Sequence, residues 1–331
     1  MGRRMLLLLG GAALGSAVLL AAVGAGGLRM LRASRDWRSS AQIDLRTEQS
    51  RTRLEGAAAS APARHQGFDS YLVIGSDARA AVGGSRADVL MLVLLPRQRG
   101  TAPVVVSFPR DLYVRNPCAH GMTRVNAGLN GCGAEATGPQ LLSVMLEDFT
   151  GIRVDHFAQF DFAGFQQVID AVGGIDICVP QPVREPGLLQ LPAGCTRAGG
   201  AVALSWVRSR HTQVLAGGRW RPMPGVSDLA RNRRQQDVLL ALLGRLGSFH
   251  SLASFDTVVR RTAGAVRVDR DLPLSRVIAT AWRLRGTDPA TVRRVEIPVR
   301  GTVTAQGADV LLPTKPFAQV LGPVYPEAVR G

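Results

Sequence analysis

The sequence predicts a layered α/β domain behind one membrane-spanning helix, on three observations. Tyr71–Ile74, Val89–Leu95 and Val104–Val106 are short, dense apolar runs, as expected of strands buried on both faces. Longer stretches of helical spacing lie between and after them, and strands alternating with helices imply layers. Near the start, Met5 to Leu28 carries no charge over 24 residues and follows Arg3 and Arg4. About 20 residues suffice for a helix to cross the hydrocarbon core.

Taken in order, residues 1–28 are expected as a short cytoplasmic tail and transmembrane anchor. A cleaved signal peptide is the competing reading, because Ala-Val-Gly-Ala resembles a cleavage site. The apolar run exceeds the usual signal core, which favours a retained anchor. Arg29, Arg32, Arg35 and Arg38 follow the span and by the positive-inside rule would lie in the cytoplasm. Four cysteines argue the other way. Cys118, Cys132, Cys178 and Cys195 show no zinc-ligand spacing, and an even count suits an exported, disulfide-bonded domain. Local pairing gives Cys118–Cys132 and Cys178–Cys195, one of three possible connectivities. Residues 29–66 are polar and rich in Ala and Arg and are expected as a stalk. Residues 67–331 form the extracytoplasmic domain. Its expected helices are Gln140–Phe149, Phe162–Val172, Ala201–Val207, Ser227–Leu246, Ser251–Val266 and Leu274–Leu284, with a last strand at Val292–Val299.

Composition narrows the function classes. Apolar residues at 46% support a sizeable core, and aromatics at 5% argue against a base-stacking nucleic-acid platform. The net charge is +15 and Lys315 is the only lysine, so the basic groups are almost all arginine. Arginine grips phosphate bidentately and keeps its charge when half-buried. A GC-rich genome would raise Ala, Arg and Gly in the same way, so charge alone points only to an anionic partner.

Chemistry-bearing residues collect where apolar runs end. The first strand runs into Gly75-Ser76-Asp77-Ala78-Arg79, and the second begins at Arg86-Ala87-Asp88. The third ends in Ser107-Phe108-Pro109-Arg110-Asp111. Ligands of open α/β sheets bind at such strand ends. Two carboxylates with nearby arginines suit a divalent cation held between protein and phosphate oxygens. Downstream, Arg208-Ser209-Arg210-His211 ends one helix. Ser227-Asp228 caps the next, whose first turns carry Arg231, Arg234, Gln235 and Gln236. Arginines at a helix N-terminus oppose the helix dipole unless an anion binds there.

These blocks, in this order and at comparable spacing, resemble the signature of LytR-CpsA-Psr proteins. Gly138-Pro139-Gln140-Leu141-Leu142 through Val172-Gly173-Gly174-Ile175-Asp176 resembles their central region, and the cysteine-bearing insert resembles actinobacterial members. The similarity covers roughly residues 68–250. It implies a single-pass membrane protein with a three-layer α/β/α domain, a central mixed sheet and an apolar pocket for a polyprenyl tail. It further implies transfer of a glycopolymer from a polyprenyl-diphosphate carrier to a muramic acid C6 hydroxyl of peptidoglycan. By match, Asp77 and Asp88 hold magnesium, with manganese as the substitute. Arg79, Arg86, Arg110, Arg208, Arg210, Arg231 and Gln235 line the diphosphate, Asp111 fits the motif, and Asp88, Arg86 and Arg110 are the catalytic set. Asp88 is also the candidate acceptor of the hydroxyl proton. The implied partners are the glycan donor, peptidoglycan and the membrane, with no nucleic acid. Two departures stand out: Val89 replaces a small hydroxyl residue, and Arg124-Val125-Asn126 replaces a lysine-containing block. Alternative readings are a polyprenyl-diphosphate hydrolase using the same pocket, or a non-enzymatic glycan-binding or regulatory protein.

Overall fold

A computed structural model describes residues 32, 35, 41–54, 61–77, 86–98, 100–223, 228–247, 252–262, 264–284 and 287–325. Seven strands among them form one mixed sheet in the order β1-β14-β7-β2-β3-β4-β15. These are β1 (Ala41–Ile43), β2 (Phe68–Ser76), β3 (Ala87–Pro96), β4 (Val104–Ser107), β7 (His156–Phe160), β14 (Val266–Asp269) and β15 (Arg293–Glu296). Strand β2 pairs parallel with β7 and antiparallel with β3. Strand β4 pairs antiparallel with β3 and parallel with β15. Strands β2, β4, β7 and β15 therefore point the same way, and their carboxyl ends share one edge.

Both faces of the sheet are covered, which is why its central strands read as continuous apolar runs. Leu72, Ile74, Leu92 and Val106 face a core closed by α1 (Thr47–Arg53), α2 (Gly138–Thr150) and, near the C-terminus, a short helix at Phe317–Leu321. Gln140 reaches back to the Thr137 backbone N–H (2.8 Å), and Gly151 ends α2 at φ 70°. On the other face, Met91, Val93 and Val105 pack with Leu240 of α5 (Asp228–Gly247). Beside α5 lie α3 (Phe162–Ala171), α4 (Gly200–Arg208), α6 (Leu252–Thr262) and α7 (Leu274–Arg283). This is a layered α/β domain with a central mixed sheet. A second core under α3 and α4 gathers Ile175, Val183, Leu191 and Trp206. It supports a four-stranded sheet, β10-β9-β12-β13, made of β9 (Val183–Glu185), β10 (Leu189–Leu191), β12 (Gln213–Ala216) and β13 (Arg219–Pro222).

Several expectations change. The stretch expected as stalk contributes β1 and α1 to the domain. Strand β1 pairs parallel with β14, and Arg51 of α1 pairs with Glu147 and Asp148 of α2. A polar, arginine-rich stretch looks solvated in sequence, and only its buried partners show otherwise. The expected helix over 251–266 stops earlier, because Gly264 turns the chain at φ 82° and Val266 and Val268 then join the sheet. The expected strand at 292–299 is two, β15 and another at Val299–Val303, separated at Pro298, which has no N–H for a ladder. Of the three possible cysteine connectivities, the structure takes Cys118–Cys132 and Cys178–Cys195. Among the described residues no helix is long and apolar enough to cross a membrane. The span expected over 5–28 lies outside the described residues.

Arg51 and Glu147 are both almost fully buried, 3.0 Å apart, and Glu147 also accepts the Val154 N–H at 2.8 Å. Burial pushes the Glu147 carboxyl up to about 7, against the pull of that N–H and of Arg51. A carboxyl that holds its proton more tightly folded than unfolded withdraws stability as pH rises from its ordinary value through the folded one. Arg51→Met strands this carboxyl in the core, and urea unfolding is expected to show a loss of about 3–5 kcal/mol. That difference from wild type should grow above about pH 7, where the wild-type carboxyl ionises beside Arg51 and the variant's has no guanidinium to pair with.

Candidate functional site

The edge where β2, β4, β7 and β15 end gathers the charged residues that close the apolar runs. Asp77 follows β2, Asp161 follows β7, Arg110 and Asp111 follow β4, and Asp88 lies at the start of antiparallel β3. The β2–β3 ladder pairs Gly75 with Val89 and then Ser76 with Ala87, so Asp88 is an extra residue in a β-bulge. The bulge sets where Asp88 points. In strict alternation it would share the face of Leu90 and Leu92, inside the core under α2. Instead Ala87 joins that core, and Asp88 emerges beside Val89 on the opposite face.

On that opposite face lies a pocket with about 690 Å³ of empty space, its open mouth included. Its floor is Val73 and Gly75 of β2 with Val89 and Met91 of β3. Phe165 of α3, Leu204 of α4 and Leu239 of α5 form the walls, and Asp88, Asp161 and Gln235 stand in its lining. Gly75 is needed here for close approach. A Cβ at that position would stand 2.9 Å from Val89 Cβ and 3.4 Å from the Phe160 ring.

The polar rim is held in place by hydrogen bonds. Arg110 Nη1 donates to Asp88 Oδ1 at 3.2 Å, and its Nε to Asp111 at 3.3 Å. Arg124 Nε lies 3.6 Å from Asp111 and donates to the Asp309 carbonyl at 2.8 Å. The Asn126 N–H bonds the Arg110 carbonyl, so the Arg124–Asn126 block supports the Arg110 loop from below. Asp88 Oδ2 has no partner among the described residues. Helix α5 is docked by Gln236 Nε2 on Ser107 Oγ (2.7 Å) and by Arg233 on Glu296 (2.8 Å).

The loop after α4 is pinned from β9. Glu185 accepts from Ser209 Oγ, from Arg210 N–H (2.9 Å) and from His211 N–H (3.0 Å). Burial works against it, yet these donors hold the Glu185 carboxyl below the usual glutamate range. Arg208 is exposed and lies 4.6 Å over the ring of Phe162, which lines the pocket.

Of the residues expected from sequence, Asp88 and Gln235 line one pocket, with Arg110 bonded to Asp88 and Arg208 stacked on the lining residue Phe162. Asp77 joins them through its backbone, its N–H bonding the Arg86 carbonyl at 3.2 Å. Arg86 is exposed, and Arg210 is held here through its backbone with its side chain outside. Asp111 serves as the carboxylate between Arg110 and Arg124. Arg79 and the side chain of Arg231 lie outside the described residues.

The sequence matches the LytR_cpsA_psr family over residues 38–321. The chain belongs to that family. Among relatives, the probable cell wall biosynthesis protein LcpB of Corynebacterium glutamicum is 33% identical over 189 residues, 53% of this chain and 41% of LcpB. The polyisoprenyl-teichoic acid–peptidoglycan teichoic acid transferase TagT of Bacillus subtilis is 30% identical over 207 residues, 58% of each chain. The chain thus spans about half the length of these curated relatives. The solved LytR-Csp2A-Psr enzyme from Actinomyces oris superposes with a TM-score of 0.60 at 26% identity, covering 80% of this chain and 94% of that one.

The structure also brings in two residues that the sequence did not mark. Asp161 was missed, although Asp161-Phe162 before a helical pattern is an N-cap signal, and its Oδ1 accepts the Gly164 N–H at 2.7 Å. Glu185 was missed because nothing local ties it to a loop 24 residues away. The pocket gives a direct test. Gly75→Ala should weaken binding of the fluorescent probe 1-anilinonaphthalene-8-sulfonate severalfold, by crowding Val89 and Phe160. Unchanged affinity would place the probe elsewhere.

Proposed function

We propose that this protein is a phosphotransferase that moves a glycopolymer from a polyprenyl-diphosphate carrier to the muramic acid C6 hydroxyl of peptidoglycan. One observation carries the reading: an apolar pocket lined by Asp88 and Phe162, with Arg110 bonded to that aspartate and Arg208 stacked on that ring. Such a pocket suits a prenyl chain, each buried CH₂ contributing about 0.8 kcal/mol. Its rim suits a diphosphate, which guanidinium groups bind bidentately. The transferase names of relatives such as TagT and the shared fold support the same reading.

In the reaction, the acceptor hydroxyl oxygen forms a bond to the phosphorus that bears the glycan. The bridging P–O bond breaks, polyprenyl phosphate leaves, and the hydroxyl proton passes to a base. Asp88 is the candidate for that role through Oδ2, the oxygen that does not hold Arg110. With an ion bound at Asp88 that same oxygen would be occupied, and the proton would then pass to water. Arg86, Arg110, Arg208, Arg210, Arg231 and Gln235 would surround the diphosphate, with Arg79 beyond them. Phosphoryl transfer asks a protein chiefly for positioning and charge neutralisation.

Asp77 and Asp88 would hold a magnesium or manganese ion, which would neutralise diphosphate oxygens when bound. The donor set fits an ion that arrives with its substrate. Among the described residues there is no cluster of three or more His, Cys, Asp or Glu to form a closed cage. Two carboxylates plus phosphate oxygens are what magnesium commonly accepts. The same reading places the domain outside the cytoplasmic membrane on the anchor expected over residues 5–28, consistent with its two disulfides.

The test is transfer of labelled glycan from a polyprenyl-diphosphate donor to peptidoglycan by the full chain in detergent, with magnesium. Asp88→Asn is expected to lower turnover about a hundredfold or more with the fold intact by circular dichroism. Free glycan phosphate in place of wall-linked label would make the protein a hydrolase. Glycan binding without either product would remove catalysis from the reading.

A further inference from the structure

Several arginines of the domain meet a carboxylate, as Arg110, Arg124, Arg233 and Arg294 do. Arg184 on β9 is held differently. Alternation along the four-stranded sheet turns Val183 into the core with Leu189, Leu191 and Val214, and turns Arg184 outward. There its guanidinium carbon sits 4.3 Å from the centroid of the Trp220 ring, and its Nε donates to Gln213 Oε1 at 2.9 Å. Its two terminal nitrogens have no protein partner among the described residues.

This arrangement immobilises the guanidinium before any ligand arrives. Stacking fixes its plane, and the Nε bond fixes its rotation about the side-chain axis. What remains open is the pair of terminal nitrogens, the edge that grips phosphate or carboxylate oxygens. Pre-organisation of this kind reduces the entropy lost on binding. The supporting hairpin is itself tight: Gly217 and Gly218 both take positive φ (58° and 72°) in the two-residue turn joining β12 to β13. Arg219 and Arg221 are exposed on β13 and add positive potential.

The position matters as much as the chemistry. Glu185, the next residue, points the other way and clamps the Ser209–His211 loop of the site. One strand therefore holds the site loop with one side chain and presents the stacked guanidinium with its neighbour. We propose that Arg184, buttressed by Trp220 and Gln213, is an anion subsite for a phosphate or carboxylate group on the glycan that extends from the site. The identity of that glycan rests on the transferase reading above, whereas anion binding by Arg184 does not. Two sources share the chemistry: phosphates of the donor polymer and stem-peptide carboxylates of the acceptor.

The test measures binding of the full chain in detergent to two probes, purified peptidoglycan and a soluble oligo(glycerol phosphate). Arg184→Gln is expected to weaken binding to at least one of them about tenfold. If amidating the carboxylates of the peptidoglycan reproduces the loss, the acceptor is the source. If the oligo(glycerol phosphate) loses affinity, the donor polymer is the source. Arg184→Lys should fall between, since it keeps the charge without the stacked fork, and wild-type affinity in that variant would overturn the geometry. Should Arg184→Gln lower the melting temperature, Gln213→Leu leaves the charge in place and is expected to weaken binding about threefold. Equal affinity of wild type and Arg184→Gln for both probes overturns the subsite. Because binding is read without turnover, a failed transfer assay would count against the transferase and leave this result standing.

Discussion

The ladder between β2 and β3 is the constraint on which the rest of the site depends. It runs in register from Phe68–Pro96 to Gly75–Val89 and then breaks phase by one residue at Asp88. A strand has a side-chain period of two, so a single inserted residue moves everything beyond it to the other face. Here that change takes an aspartate out of the core under α2 and sets it at the mouth of the opposite pocket. It also lets Ala87 close the core it leaves. Gly75, in the pair before the bulge, removes the side chain that would have met Val89 and Phe160. A carboxylate and an open apolar pocket thus come from one local irregularity.

Around that point the structure manages a large excess of positive charge by tethering it. Arg110 is shared between Asp88 and Asp111, Arg124 between Asp111 and a backbone carbonyl, and Arg233 is bound to Glu296. Each tether also joins two elements: β3 to the loop after β4, that loop to the chain near Asp309, and α5 to β15. Partly exposed pairs of this kind add little stability singly, but they hold guanidinium groups in defined places near the site. The buried Arg51–Glu147 pair differs in consequence. It locks α1 onto α2, so the domain begins well before its first long strand.

Much of this was legible in the sequence. The central strands, the helices over 138–150, 162–171, 200–208 and 228–247, and the ordered motif blocks all follow from apolar periodicity and from charges placed at its ends. Less legible were short strands such as β7, where His156 and Gln159 interrupt an apolar reading, and β14, whose first residue, Val266, falls at the end of an expected helix. Strands β1 and β14 are three and four residues long, too short for a period to emerge. Their structure comes from the neighbours they pair with.

The sequence by itself determined the layered class, the order of the elements and which residue types reach the strand ends, because periodicity and turn chemistry act over a few neighbouring residues. It left three cysteine connectivities open and placed Arg184, Glu185 and Asp161 in no site. Only the tertiary structure decided those. It turned Asp88 by a bulge, joined Glu185 to a loop far along the chain, and set Arg184 on Trp220 across two strand pairings. Each of these is a contact between segments distant in sequence, and local propensity carries no information about which distant segments meet.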